Sequence, residues 1–143
     1  MPSPDRTPNM ARMSRDCEVI VIARGADDVM RPLTQPDEHR QWHQCFEPIP
    51  GMDAWAIDFW RLNWSGLLPH LEQLPWPIPG SVQVLLRDQD DECFGLWMMH
   101  EGKLKEVPLP CTVREADDVA PLGSMLTRTD RDGCSAASAA PAA

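Results

Sequence analysis

The first apolar run of the chain, Cys17-Glu-Val-Ile-Val-Ile-Ala23, is continuous and β-branched. This predicts a strand buried on both faces, because a strand with one wet face alternates apolar and polar positions. Arg24-Gly25 ends it, and Asp27 to Arg31 fit one helical turn before Pro32. The stretch TQPDEHRQWHQCFEP (34–48) carries helix signals. Thr34 suits an N-cap, Pro36 the first turn, and Asp37 and Glu38 the positive end of the helix dipole. Trp42 and Phe46 lie four apart and share a face, and Pro48 and Pro50 end the element.

DAWAIDFWRLNW (53–64) reads as a second helix. At about 100° per residue, Trp55, Phe59 and Leu62 cluster on one side, with Trp60, Trp64 and Ile57 roughly opposite. Only Ala54, Asp58 and Arg61 line a polar strip. The apolar arc exceeds the stripe of an ordinary surface helix. Such a helix is either sandwiched in the domain or offers Trp60 and Trp64 to a partner. Gly66 and Pro69 interrupt it, and Leu67, Leu68, Leu71 and Leu74 add an amphipathic turn or two before the rigid connector PWPIPG.

Residues 81–108 read as a meander. Val82 to Arg87 is its first strand, DQDDE (88–92) a polar turn, and Phe94 to Met99 the next strand. Glu101-Gly102 makes a tight hairpin, and Leu104 to Val107 forms the last strand, ended by Pro108. Thr112-Val-Arg-Glu115 matches a capping box and opens a short helix to Val119. The order β-α-α-β-β-β predicts an α+β fold: a four-stranded, mainly antiparallel sheet with helices on one face. No internal repeat interrupts it.

Composition sets the boundaries. The 143 residues fit one domain. Residues 1–16 are rich in Pro, Ser and Arg without apolar period, and residues 127–143 end in an Ala/Ser tail. Both read as disordered arms around a domain of 17–126. Lysine and asparagine are scarce, tyrosine is absent, and Arg, Ala and Pro are common. That bias points to a GC-rich bacterial or phage gene.

The formal charge of −9 disfavours phosphate backbones and anionic membrane surfaces. Its natural complement is a protein with a basic surface. The five cysteines are widely spaced, with no CxxC pair, which predicts reduced thiols in a cytoplasmic protein. No secretory signal or span of about 20 apolar residues is visible.

Chemistry-bearing patterns are sparse. His39 and His43, near Cys45, have the i, i+4 spacing of a helical metal site, but HExxH is absent and no third ligand is assigned. Asp88, Asp90, Asp91 and Glu92 form an acidic turn without the glycine and distal glutamate of a calcium loop. That turn reads as a solvated hairpin or as an acidic knob for a basic partner. Ser65 lacks a nucleophile elbow, and no phosphate-binding glycine loop occurs. No cofactor is expected.

In the meander, alternation places Leu85, Trp97 and Met99 opposite the helix-covered face, as an apolar contact surface. The chain therefore reads as a non-catalytic protein-binding module. An inhibitor or neutraliser fits best, in the style of a bacterial immunity protein or a phage antagonist of host defence. The expected interface comprises Leu85, Asp88, Asp90, Asp91, Glu92, Trp97, Met99, Trp60 and Trp64. The alternative is a small enzyme or metal-dependent protein using His39 and His43 with a cysteine or carboxylate. Self-association through the Trp97 face is a third reading.

Overall fold

The computed structural model describes residues 16–40, 42–60, 66–116 and 124–129. The central sheet has six strands. They are β1 (Asp16–Ile22), β2 (Glu47–Pro48), β3 (Ala54–Trp60), β4 (Gln83–Asp88), β5 (Gly95–His100) and β6 (Lys103–Val107). Their order in space is β2-β3-β1-β4-β5-β6, and every neighbouring pair is antiparallel. A separate hairpin pairs β7 (Thr112–Ala116) with β8 (Ser124–Arg128). Two short α-helices, α1 (Asp27–Met30) and α2 (Leu67–Glu72), and two 3-10 turns, Arg31–Thr34 and Pro79–Ser81, complete the described elements. The α+β class and the antiparallel sheet stand, while the count of four strands and their order are corrected.

Three expected helices need correction. DAWAIDFW is β3: large Trp55 and Ile57 alternate with Ala54, Ala56 and Asp58, so the period is two and the large residues face the core. The described residues between Thr34 and Pro48 form no helix. Their fastening is instead local: Phe46 N–H donates to Leu33 O (2.9 Å), and the Arg40 guanidinium donates to Pro32 O (3.4 Å) and Gln44 O (2.9 Å). Trp42 and Phe46 are nonetheless both buried in the core. Thr112 to Ala116 is strand, not a capped helix. Its β-branched Thr112 and Val113 suit the pleat, and Thr112 Oγ1 donates backwards to Leu109 O (2.9 Å) rather than capping forwards.

The core lies on one face of the sheet. Cys17, Val19 and Val21 of β1 meet Ile57 and Trp55 of β3 and Leu86 and Val84 of β4 across the ladder. Met30 and Leu33 cover them from the α1 side, and Leu67, Leu68 and Leu71 from α2. Each fully buried aliphatic side chain contributes about 1.5–3 kcal/mol. Trp76 closes the end of α2, its indole N–H donating to Leu71 O (2.8 Å). Glu72 accepts Leu104 N–H (2.8 Å), which ties α2 to β6.

β1 is buried on one face only. Cys17, Val19 and Val21 are inaccessible, Glu18 is exposed, and Ile20 and Ile22 are half-buried. The expectation of two buried faces fails because the helices pack on one side. The Glu101-Gly102 hairpin is as expected. Both residues have positive φ (53° and 78°), the conformation of a two-residue turn matched to strand twist.

Asp16, given to the N-terminal arm, belongs to β1, and Thr127 and Arg128, given to the tail, belong to β8. Thr129 is also described, its N–H donating to Cys111 O; the remainder of both arms lies outside the described residues, as do Ser65 and the expected helix beyond Ala116. Cys17, Cys45 and Cys93 carry free thiols, whereas Cys111 is disulfide-bonded, so the expectation of uniformly reduced thiols is corrected. No helix among the described residues is long and apolar enough to cross a membrane.

Candidate functional site

The register of the sheet builds an apolar row on the face turned away from the helices. Ala56 pairs with Ile20, Ile20 with Leu85, Leu85 with Leu96, and Leu96 with Val107. The row crosses five strands at one height, and every member is half-buried. Ile22 and Met98 flank it, also half-buried. None of the apolar residues of this face belongs to the core cluster.

Charge is distributed unevenly around the row. Glu47, paired with Ala56, and Asp58, paired with Glu18, make the β2–β3 side acidic, and all three carboxylates are exposed. Arg87 bonds Glu18 (3.0 Å) and sits over the Phe94 ring at 5.9 Å. At the opposite edge, β6 carries Lys103 and Lys105, both exposed and the only lysines in the chain; the Lys103 ammonium lies 3.9 Å from Glu72 of α2. Between β1, β3 and the Cys45 loop lies a shallow cavity of about 280 Å³. Its walls include Glu18, Glu47 and Asp58, with Ile20, Ala56 and Phe94 supplying apolar surface. Such a cavity suits the cationic end of a long side chain with its apolar stem.

The expected interface residues separate. Leu85 lies in the apolar row. Trp97 does not: it pairs with Val84, faces the helices and is 5 % exposed. Met99 follows it onto the covered face and packs against the core. The error is one of register. Leu85, not Val84, shares a face with Leu96 and Met98, and a shift by one residue exchanges the faces of a whole strand. Trp60 is in β3 by its backbone, but its side chain and all of Trp64 lie outside the described residues.

The acidic turn is no protruding knob. Asp88 and Asp91 are each 3 % exposed, while Asp90 and Glu92 are exposed. Asp91 accepts the N–H groups of Asp88 (2.9 Å) and Leu126 (2.6 Å). Glu92 N–H donates to Leu126 O (3.0 Å), and its carboxylate accepts Arg128 N–H (2.6 Å). The turn thus fastens β8 to the sheet. Burial pushes the Asp91 carboxyl above the usual range against the lowering effect of its two amide donors. Burial, helped by Asp88 and Asp91, likewise raises the Cys17 thiol far above its ordinary value, which leaves it inert.

The other strand of the hairpin is held by Arg114, cross-strand from Leu126. Its guanidinium stacks on Trp97 at 5.1 Å, and its Nε donates to Glu106 Oε2 at 2.7 Å. Gly95 makes room for this stack: a Cβ there would collide with Arg114, Trp97 and Glu106.

His39 and His43 are both exposed, and no helix aligns them. Cys45 lines the cavity and neither histidine does. Among the described residues no group of three or more His, Cys, Asp or Glu is arranged to hold a metal ion. The histidine that packs against the core is His70, edge-on to Trp42 at 5.1 Å. Its pKa is lowered by burial and then by Arg40, which favours the neutral ring. No family model, curated protein or solved structure matches the chain.

Proposed function

We propose that this chain is a non-catalytic protein-binding domain that inhibits or neutralises a partner bearing a basic surface. The observation that carries the reading is the apolar row Ala56–Ile20–Leu85–Leu96–Val107, bordered by the acid-rimmed cavity of Glu18, Glu47 and Asp58. Apolar surface of this kind on a sheet face marks a contact site. Its acidic border supplies orientation and a faster encounter with a basic partner. Met98 and Phe94 take the place expected for Trp97 and Met99 as the adaptable and aromatic elements of the surface.

An immunity-type or phage-encoded antagonist fits this chemistry, since blocking a basic groove requires charge and shape but no reaction. The metal-dependent alternative would need a third ligand beside the exposed His39 and His43. Affinity capture from a lysate of the source cells tests the proposal. Tagged wild-type chain, Asp58→Lys and Leu96→Asp are run in parallel. A basic protein retained by the wild type and lost from both variants is the expected outcome. Identical captures from all three would overturn the reading.

A further inference from the structure

We propose that the open face is also self-complementary, so that two copies of this chain pack sheet against sheet and cover it. This rests on the reading of that face as a docking surface. It adds the identity of one occupant, a second copy, that any other partner must displace.

The argument begins with the position of charge. Glu47 and Asp58 lie on β2 and β3 at one side of the face, and both lysines of the chain lie on β6 at the other. A two-fold axis in the interface, parallel to the strands and passing between β1 and β4, reverses the strand order of the facing sheet. It sets β6 over β2 of the second copy, β5 over β3, and β4 over β1. Lys105 then lies within a lysine's reach of the opposing Glu47, and the symmetric pair repeats at the far edge.

The same operation places Ile20 against Leu85 of the second copy and Leu96 against its Ala56. Four members of the apolar row are thereby paired with one another, while Val107 at the β6 edge falls opposite β2 of the second copy. An isologous contact of this kind closes after two copies and leads to no filament.

The size is adequate. Five strands at about 4.8 Å spacing and about 20 Å length offer roughly 500 Å² per copy. The pair would bury about 1,000 Å², the lower bound of a specific interface. The net charge of −9 opposes association at long range. That repulsion is screened beyond about 8 Å at 0.15 M salt, and close lysine–carboxylate pairs survive there. A reversible dimer at micromolar concentration follows.

Light scattering coupled to size exclusion, on the full chain at about 100 µM in 0.15 M salt, reads the mass directly. Twice 16.1 kDa is expected. Lys105→Glu and Glu47→Lys, each alone, should weaken the dimer at least ten-fold, since each places two like-charge contacts across the two-fold. Mixing these two variants should restore a heterodimer, because every cross-contact then pairs opposite charges. Leu85→Lys should give a monomer with an unchanged circular dichroism spectrum.

A wild-type monomer at this concentration overturns the proposal. So does a dimer indifferent to Leu85→Lys, or a mixture that fails to reassociate. A monomer that still captures a basic protein through Asp58 would end the dimer and leave the binding reading intact. A dimer whose capture is indifferent to Asp58 and Leu96 would do the reverse.

Discussion

The two faces of the central sheet are made by the same strands and meet different surroundings. On β1, Val19 and Val21 are inaccessible while the adjacent Ile20 and Ile22 are half-buried. Isoleucine is no less apolar than valine, so hydrophobicity does not decide which side becomes core. The covering elements decide it: α1, α2 and the Trp42–Phe46 loop all fall on one side. A sheet with more apolar faces than its own helices can cover carries a second surface for something else. One face is therefore judged by stability, and the proposal that the other serves association is judged by binding.

The largest separation between the faces comes from truncation. Trp97→Ala should cost about 3–5 kcal/mol, because it removes a buried ring and the seat of Arg114. Leu85→Ala on the open face should stay within about 1 kcal/mol. Urea denaturation measures both, and similar losses would erase the distinction.

Asp91→Ala comes next, at about 2 kcal/mol. Two amides lose their acceptor, and the relief of carboxylate desolvation offsets part of the loss. Hydrogen exchange at the Leu126 amide should rise more than at the Val19 amide, which reports the sheet centre.

Gly95→Ala should follow at about 1–2 kcal/mol. The added methyl pushes Trp97 and Arg114 apart on the covered face, and near-ultraviolet circular dichroism of the tryptophans would record the shift. A neutral outcome would mean that Arg114 is not held against the ring.

The smallest effect is a slope with pH. Burial holds the Asp91 carboxyl above its ordinary value, so the folded chain keeps this proton where the unfolded chain has lost it. Stability from this group is full below the unfolded pKa and declines as pH rises through the folded one. Asp91→Asn should flatten the profile in that window, just above the usual aspartate pKa. A window that steepens in the variant would reverse the assigned direction.

Much of the sheet was legible because its strands announce themselves. The β-branched run of β1, the Val82–Arg87 alternation and the Glu101-Gly102 turn each predict the element found to within one residue at either end. β3 was misread because Trp55 and Phe59 fit a four-residue helical spacing as well as a two-residue strand spacing. The alanines at 54 and 56, small and alternating with Trp55 and Ile57, carried the correct period. The open face was misassigned for a different reason. The tight turn after His100 fixes the β5–β6 register, but residues 89–94 link β4 to β5 through a longer turn that sets no register by length. Within that turn the buried Asp91 accepts the Asp88 N–H, and burial of an aspartate inside an acidic run leaves no trace in composition. The acid-rimmed cavity joins Glu18, Glu47 and Asp58 from three strands, a proximity that only the fold creates.

The first strand of the chain lies at the centre of the sheet, between β3 and β4. Both of its partners are made later, β4 only at residues 83–88. At a synthesis rate of about 5–20 residues per second, the Val19–Ile22 run waits about 2–8 seconds for β3 and about 3–13 seconds for β4, with at least one edge unpaired throughout. Uncharged β-branched segments are prone to cross-strand association in that state. Glu18, beside the run and exposed in the finished fold, stands where a charged gatekeeper would be useful during this interval. The placement of β1 thus sets a hazard of birth: the strand at the centre of the sheet waits through more of the chain for its second neighbour than any other strand of that sheet.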